Sequence, residues 1–275
     1  MKKLFALALF MGFAATAQDF YGVATYTSFT TFKDMNIKIE GDPAMEARMK
    51  ERFSKGLESE YTLIFNRFEA VYEQVQKLEP AGPAGTRSMR MGRGKKYTNL
   101  KEKSVIEERD ILDKEFVVTD SIRKFDWKLE NETKKIGDYT CYKATHTIKI
   151  TPPTEEEIKE LKEKSRGTDL LGMLPKKDIV ITAWYTPEIP VSHGPDEYWG
   201  LPGLILEVQT QRTTMLCSKL ALNPKEKPEI KAPNKGEKVT NEEYMEIMKK
   251  KMEEMQDTMP ARDKGKGGIS ITFGE

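Results

Sequence analysis

Residues 139–150 read YTCYKATHTIKI, an alternating pattern over twelve positions, and a period of two buries one face only if the segment is a strand. A lone strand or hairpin is marginal in water, so the chain must build a sheet around it. Other segments offer partners. Residues 20–32 (FYGVATYTSFTTF) are dominated by aromatic, Val and Thr side chains, and 60–68 (EYTLIFNRF) leads through Asn66 into 69–78, which reads as a strand or a helix. Residues 103–112, 115–120, 125–131, 179–185, 204–210 and 213–222 add further strand-like runs, the last two facing each other across Gln211-Arg212. The expected fold is mainly β: a single strongly curved antiparallel sheet or partial barrel of about eight to ten strands.

Three helices interrupt this pattern. Asp42-Pro43 supplies an N-cap and a first-turn proline for a short N-terminal helix. Thr154 with Glu157 forms a capping box for an inserted, highly charged helix, and Thr240 with Glu243 does the same for a C-terminal amphipathic helix that Pro260 stops. The resulting organisation is a leader over 1–17, a β domain over 18–222, a linker over 223–239, a Met-striped helix over 240–260 and a tail over 261–275. Within the β domain, 80–96 reads as a mobile basic loop and 151–177 as a charged insertion.

The leader has the layout of a secretory signal. Lys2 and Lys3 precede an apolar run too short to cross a bilayer, and Ala15-Thr16-Ala17 presents small residues for cleavage near Ala17. The expectation is an exported protein of the periplasm or the extracellular space, not transmembrane. Cleavage takes two lysines from 45 basic residues against 44 acidic ones, leaving a net charge of −1, which gives nucleic acid no attractive field. Export also makes a disulfide between Cys141 and Cys217, the two cysteines of the chain, chemically permissible, and two buried thiols are the alternative.

Catalytic signatures are sparse. The chain has two histidines, His146 and His193, and neither sits in a Gly-x-Ser-x-Gly elbow or a His-Glu-x-x-His helix. No cofactor is implied, and an enzyme, a hydrolase of unassigned type, is the least supported class. The densest local pattern is Ala183-Trp184-Tyr185-Thr186-Pro187-Glu188-Ile189-Pro190, followed by Trp199-Gly200-Leu201-Pro202-Gly203-Leu204. Pro202-Gly203 fits the centre of a type II turn, with positive φ at the glycine. Trp184, Tyr185, Pro187, Pro190, Trp199, Leu201, Pro202, Gly203 and Leu204 therefore form either a structural plug or the rim of a ligand-binding cleft.

Residues 200–205 spell GLPGLI, and 184–195 (WYTPEIPVSHGP), 200–208 (GLPGLILEV) and 125–145 (FDWKLENETKKIGDYTCYKAT) extend the pattern. The chain resembles the GLPGLI family of secreted Bacteroidota proteins over 116–208, with a weaker fit over 20–66. The resemblance implies export and an all-β core. It implies no reaction, because the family is functionally uncharacterised. The insertion over 151–177 departs from the family pattern.

The C-terminal helix carries a second signal. Met245, Met248, Met252, Met255 and Met259 recur at spacings of three and four, a stripe roughly 80° wide. Thioethers pack adaptably against irregular partners, and they also ligate copper(I). The basic loop offers a peripheral contact with anionic membrane surfaces. The function expected is a non-enzymatic binding or accessory protein for an apolar or peptidic ligand held on a concave sheet face, or for a cell-envelope protein. A copper(I)-handling protein is the alternative. Such sheets are similar, by fold analogy, to periplasmic carriers of acyl chains.

Overall fold

The structure, a computed structural model, describes residues 20–32, 35–39, 42–76, 93–112, 114–164, 174, 177–258 and 269–273. Its centre is β1 (Gly22–Thr30), which pairs antiparallel with a strand on each side. On one side runs the meander β3 (Leu57–Phe65), β4 (Glu69–Gln74), β5 (Arg93–Asn99), β6 (Ser104–Ile111) and β7 (Lys114–Ser121). On the other side a second meander returns from β12 (Thr213–Leu222) through β11 (Leu204–Gln209), β10 (Ile179–Thr186) and β9 (Tyr139–Ile148) to β8 (Lys128–Ile136). Strand β13 (Glu237–Thr240) adds to β7 in parallel, completing a twelve-stranded sheet. A second, two-stranded sheet joins β2 (Met35–Ile39) to β14 (Ile269–Phe273).

The expectation of a strongly curved sheet or partial barrel is overturned: the sheet is open, neither closed nor strongly curled, with β13 and β8 as its two edges. The physical reason lies in what covers its apolar surface. Residues 187–203, between β10 and β11, fold back and contribute Ile189, Val191, Tyr198 and Leu201 to the two main apolar clusters, so the sheet need not bend onto itself to bury them. The edges are protected in other ways. Strand β8 reads KLENETKKI, and charges of both signs discourage further pairing. Strand β13 is only four residues long and feeds directly into a helix.

The three helices match the expected order. In α1 (Pro43–Ser54) the Met45 amide donates to Asp42 Oδ1 at 2.9 Å, the cap read from the sequence. In α2 (Glu155–Lys164) the Glu157 amide donates to Thr154 Oγ1 at 3.3 Å while Glu157 accepts from the Thr154 amide at 2.7 Å. Thr240 and Glu243 reproduce that exchange at the start of α3 (Asn241–Thr258). Helix α3 then docks Tyr244, Ile247 and Met248 on Ile111, Phe116, Val118 and Val239, with the Tyr244 ring edge-on to Phe116 at 5.6 Å.

Most strands fall where the alternation placed them, and 69–78 resolves as the strand β4. Residues 93–96, assigned above to the basic loop, are the beginning of β5, and 237–239, assigned to the linker, lie in β13. The leader over 1–17, residues 80–92 of the loop, most of 165–176 and residues 259–268 lie outside the described residues. No helix among the described residues is long and apolar enough to cross a membrane.

Candidate functional site

Register partners on neighbouring strands stand side by side on one face of a sheet. Reading across the ladder from β1 gives Ala24, Leu63, Tyr72, Lys96, Glu107, Val118 and Val239, each paired with the next. Apolar residues flank a Tyr-Lys-Glu insert in this row. The Lys96 and Glu107 side chains retain only 9% and 5% of their exposure, although charged side chains are almost never buried without partners. Their partners are close. Lys96 Nζ lies 3.9 Å from Glu107 Oε1 and donates to Asp196 Oδ1, while Glu107 Oε2 accepts from Arg109 at 2.7 Å. Arg109 also donates to Asn241 Oδ1 at 3.1 Å and stacks over the Tyr244 ring at 5.2 Å. A continuous polar chain thus links the N-terminus of α3 to the loop between β10 and β11.

That loop roofs the row. Asp196 reaches Lys96 from a left-handed conformation (φ 53°), which a short polar residue tolerates better than most. The Leu204 amide donates to the Ile189 carbonyl and the Ile205 amide to the His193 carbonyl, both at 3.0 Å, so the roof is stitched to the start of β11. Trp127 Nε1 donates to the Trp199 carbonyl at 2.8 Å, and Trp199 Nε1 donates to the Arg123 carbonyl. Between roof and sheet lie two connected spaces. A chamber of about 130 Å³ has Leu63, Val105, Val118, Tyr72 and His193 among its walls, and a cleft of about 520 Å³ opens past Thr30, Tyr61, Gln74 and Thr213. Tyr72, Lys96, Glu107, Asp196 and Tyr198 line both.

Three buried side-chain atoms in the chamber wall make no hydrogen bond among the described residues: Glu107 Oε1, which is within ion-pair range of Lys96, His193 Nε2 and the Tyr72 hydroxyl. His193 is 2% exposed, and its Nε2 has no hydrogen-bond partner. Burial pushes its pKa down to about 4, against a smaller upward pull from its hydrogen bond to the Asn66 backbone. The imidazole is therefore neutral at pH 7, with the other ring nitrogen donating to Asn66 and Nε2 left as an acceptor. Tyr72 is 7% exposed, stacks on Tyr61 with centroids 5.0 Å apart, and leaves its hydroxyl without a partner. Burial raises its pKa far above that of a free phenol, so the hydroxyl keeps its proton. Tyr198 is likewise pushed up to about 12 by burial.

The residues singled out from the sequence divide into three groups. Tyr185, Leu201, Gly203 and Leu204 are buried core, and Trp184 is half-buried with Lys134 Nζ over its ring at 4.4 Å. Pro187, Pro190 and Pro202 are exposed, and Trp199 alone of the nine lines the chamber. The type II turn at Pro202-Gly203 is not formed. Gly200 has the positive φ of 95°, whereas Gly203 is required by close approach, because a Cβ there would stand 2.1 Å from the Thr186 carbonyl oxygen. Cys141 and Cys217 are free thiols packed in one apolar cluster, both pushed up to about 11 mainly by burial. Of the methionine stripe, Met248 packs beside the sheet, while Met245 and Met252 are 47% and 53% exposed. The Met255 side chain and Met259 lie outside the described residues. No cluster of three or more His, Cys, Asp and Glu suited to a metal occurs among the described residues.

Sequence reasoning missed Tyr72, Lys96, Glu107, Arg109 and Asp196. Lys96 ends a basic run and Glu107 sits in Glu107-Glu108-Arg109, patterns that solvated charges share.

Residues 127–207 match the family model described as a protein of unknown function (Porph_ging), a family often called GLPGLI. The matched segment runs from the Trp127 that holds the roof to the Glu207 that ends beside Lys134. No curated protein matches the chain. Among solved structures, PNGF-II is similar in two crystal forms, with 15% and 14% identity and TM-scores of 0.45 and 0.47. The alignments cover 82% and 84% of this chain but 33% and 34% of those, so the chain spans about a third of their length.

Proposed function

We propose that this chain, whose residues 127–207 match an uncharacterised β-rich family, is a non-enzymatic binding or accessory domain of an exported protein and takes a peptidic ligand in the cleft between the roof and β3–β6. The observation that carries the reading is the makeup of the cleft. Its walls combine Ser28, Thr30, Gln74, Thr210 and Thr213 with Tyr61, Tyr72, Tyr198 and Met215, beside the charged Glu73, Lys96, Glu107 and Asp196. Such a surface hydrogen-bonds a backbone and packs side chains, whereas an acyl chain there would strip water from those polar groups without replacing it. The secretory-signal layout of residues 1–17 supports export. His193 has the acceptor nitrogen of a general base, yet its other nitrogen is held by a backbone group rather than by a carboxylate, which favours binding over nucleophilic catalysis.

Saturation-transfer NMR with a pool of neutral tripeptides and, separately, laurate tests this reading. Saturation of the peptide resonances alone is expected. Saturation of laurate alone, or of neither, overturns it.

A further inference from the structure

We infer that the inner chamber is a specificity pocket for an uncharged carboxamide, the side chain of Asn or Gln in a bound peptide. The inference rests on the peptide-binding reading of the cleft and deepens it. Its basis is the pair His193 and Tyr72, incompletely satisfied and both more than nine-tenths buried, in the wall of one chamber. A buried polar atom without a partner is costly, so native structures provide one from protein, water or ligand.

The two atoms ask for different things. His193 Nε2 is an acceptor with no proton, because its ring donates to Asn66 from the other nitrogen, and so it needs a donor. The Tyr72 hydroxyl has a proton to give and needs an acceptor. A carboxamide brings an N–H donor and a carbonyl acceptor on separate atoms. A carboxylate brings no donor to His193, and an ammonium brings no acceptor to Tyr72.

Charge points the same way. Lys96 and Arg109 are matched by Glu107 and Asp196, and Arg123 by Glu197, while Asp120 adds one further carboxylate to the lining, so no unmatched cation among the described residues is there to hold a carboxylate. Size is compatible too. A chamber of about 130 Å³ is close to the roughly 150 Å³ cavity that holds benzene in an engineered protein. Leu63, Ala70, Val105 and Val118 supply the apolar walls against which the methylene of an Asn or Gln side chain would pack.

The experiment uses the full chain labelled with 15N-histidine and titrates acetamide, acetate, methanol and benzene as separate probes. Acetamide is expected to shift the His193 Nε2 resonance saturably in the millimolar range, with affinity about tenfold weaker in Tyr72→Phe, one hydrogen bond fewer. Acetate and benzene are expected to leave that resonance in place, and methanol, whose one oxygen must both donate and accept, to act more weakly than acetamide. An equal response to acetate, methanol or benzene, no response to acetamide, or an unchanged affinity in Tyr72→Phe overturns the inference. Tripeptide binding without an acetamide response rejects the pocket and leaves the cleft reading standing. An acetamide response without tripeptide binding rejects the peptide reading itself.

Discussion

Each half of the sheet holds a lysine–glutamate pair, and the two pairs differ in a way that locates the site. In the β8–β12 half, Lys134 Nζ meets Glu207 Oε2 at 2.6 Å, and Gln209 donates to the other carboxylate oxygen at 2.6 Å. The Lys134 side chain is 33% exposed, so its charge keeps contact with water, and no orphaned atom accompanies the pair. In the β3–β7 half, Lys96 and Glu107 are both nearly sealed, and Tyr72 and His193 beside them have unfilled hydrogen-bonding capacity. The first pair ties a sheet together. The second borders a space that something polar should fill, and a wholly apolar row there would have been as stable or more so.

The comparison breaks most readily at Lys96. Lys96→Ala leaves the buried Glu107 with Arg109 alone and takes the cation from the partly exposed Asp196, and should cost about 3 kcal/mol in urea unfolding. Lys134→Ala should cost about 1 kcal/mol or less, because a third of that side chain is already in water. Equal losses would erase the distinction.

A second effect comes from His193. Its folded pKa, about 4, is depressed below the unfolded value of 6.5, so between these pH values the unfolded chain binds more protons and stability falls as the pH is lowered. The loss should approach about 3 kcal/mol by pH 4. His193→Gln should remove that part of the slope, so the difference between the two pH–stability curves isolates it from titrating carboxylates.

Next in size is the roof. Gly203→Ala forces a methyl group against the Thr186 backbone and should cost about 1–3 kcal/mol by thermal denaturation. The smallest effect lies farthest from the cavity. Leucine at Met245 and Met252, both exposed on α3, should change stability by less than about 0.5 kcal/mol.

How much of this was legible from the residues follows the same division. Alternation, capping boxes and turn residues marked most strands and all three helices, since they act over a few positions. The 184–204 pattern drew attention because aromatic, Pro and Gly residues cluster there, and the structure makes that segment the roof. Its turn geometry was misread: Pro202-Gly203 has the composition of a type II turn, but the glycine answers to a carbonyl on the preceding strand, a contact that local sequence does not encode. The sheet's openness was also hidden, because it depends on the 187–203 segment covering apolar residues that were expected to meet across a bend. The polar row was the least visible part. Lys96, Glu107 and Asp196 come from three distant segments, and a buried charge has the same letter as a solvated one.

The direct test of a buried, neutral His193 in the chamber wall is the 15N-imidazole titration of that ring in the folded chain. Titration at about pH 4 with Nε2 unprotonated above it is the predicted result. Titration near 6.5, or a proton on Nε2 at neutral pH, would contradict the account, because the ring would then face water or be satisfied by a partner the chamber does not contain.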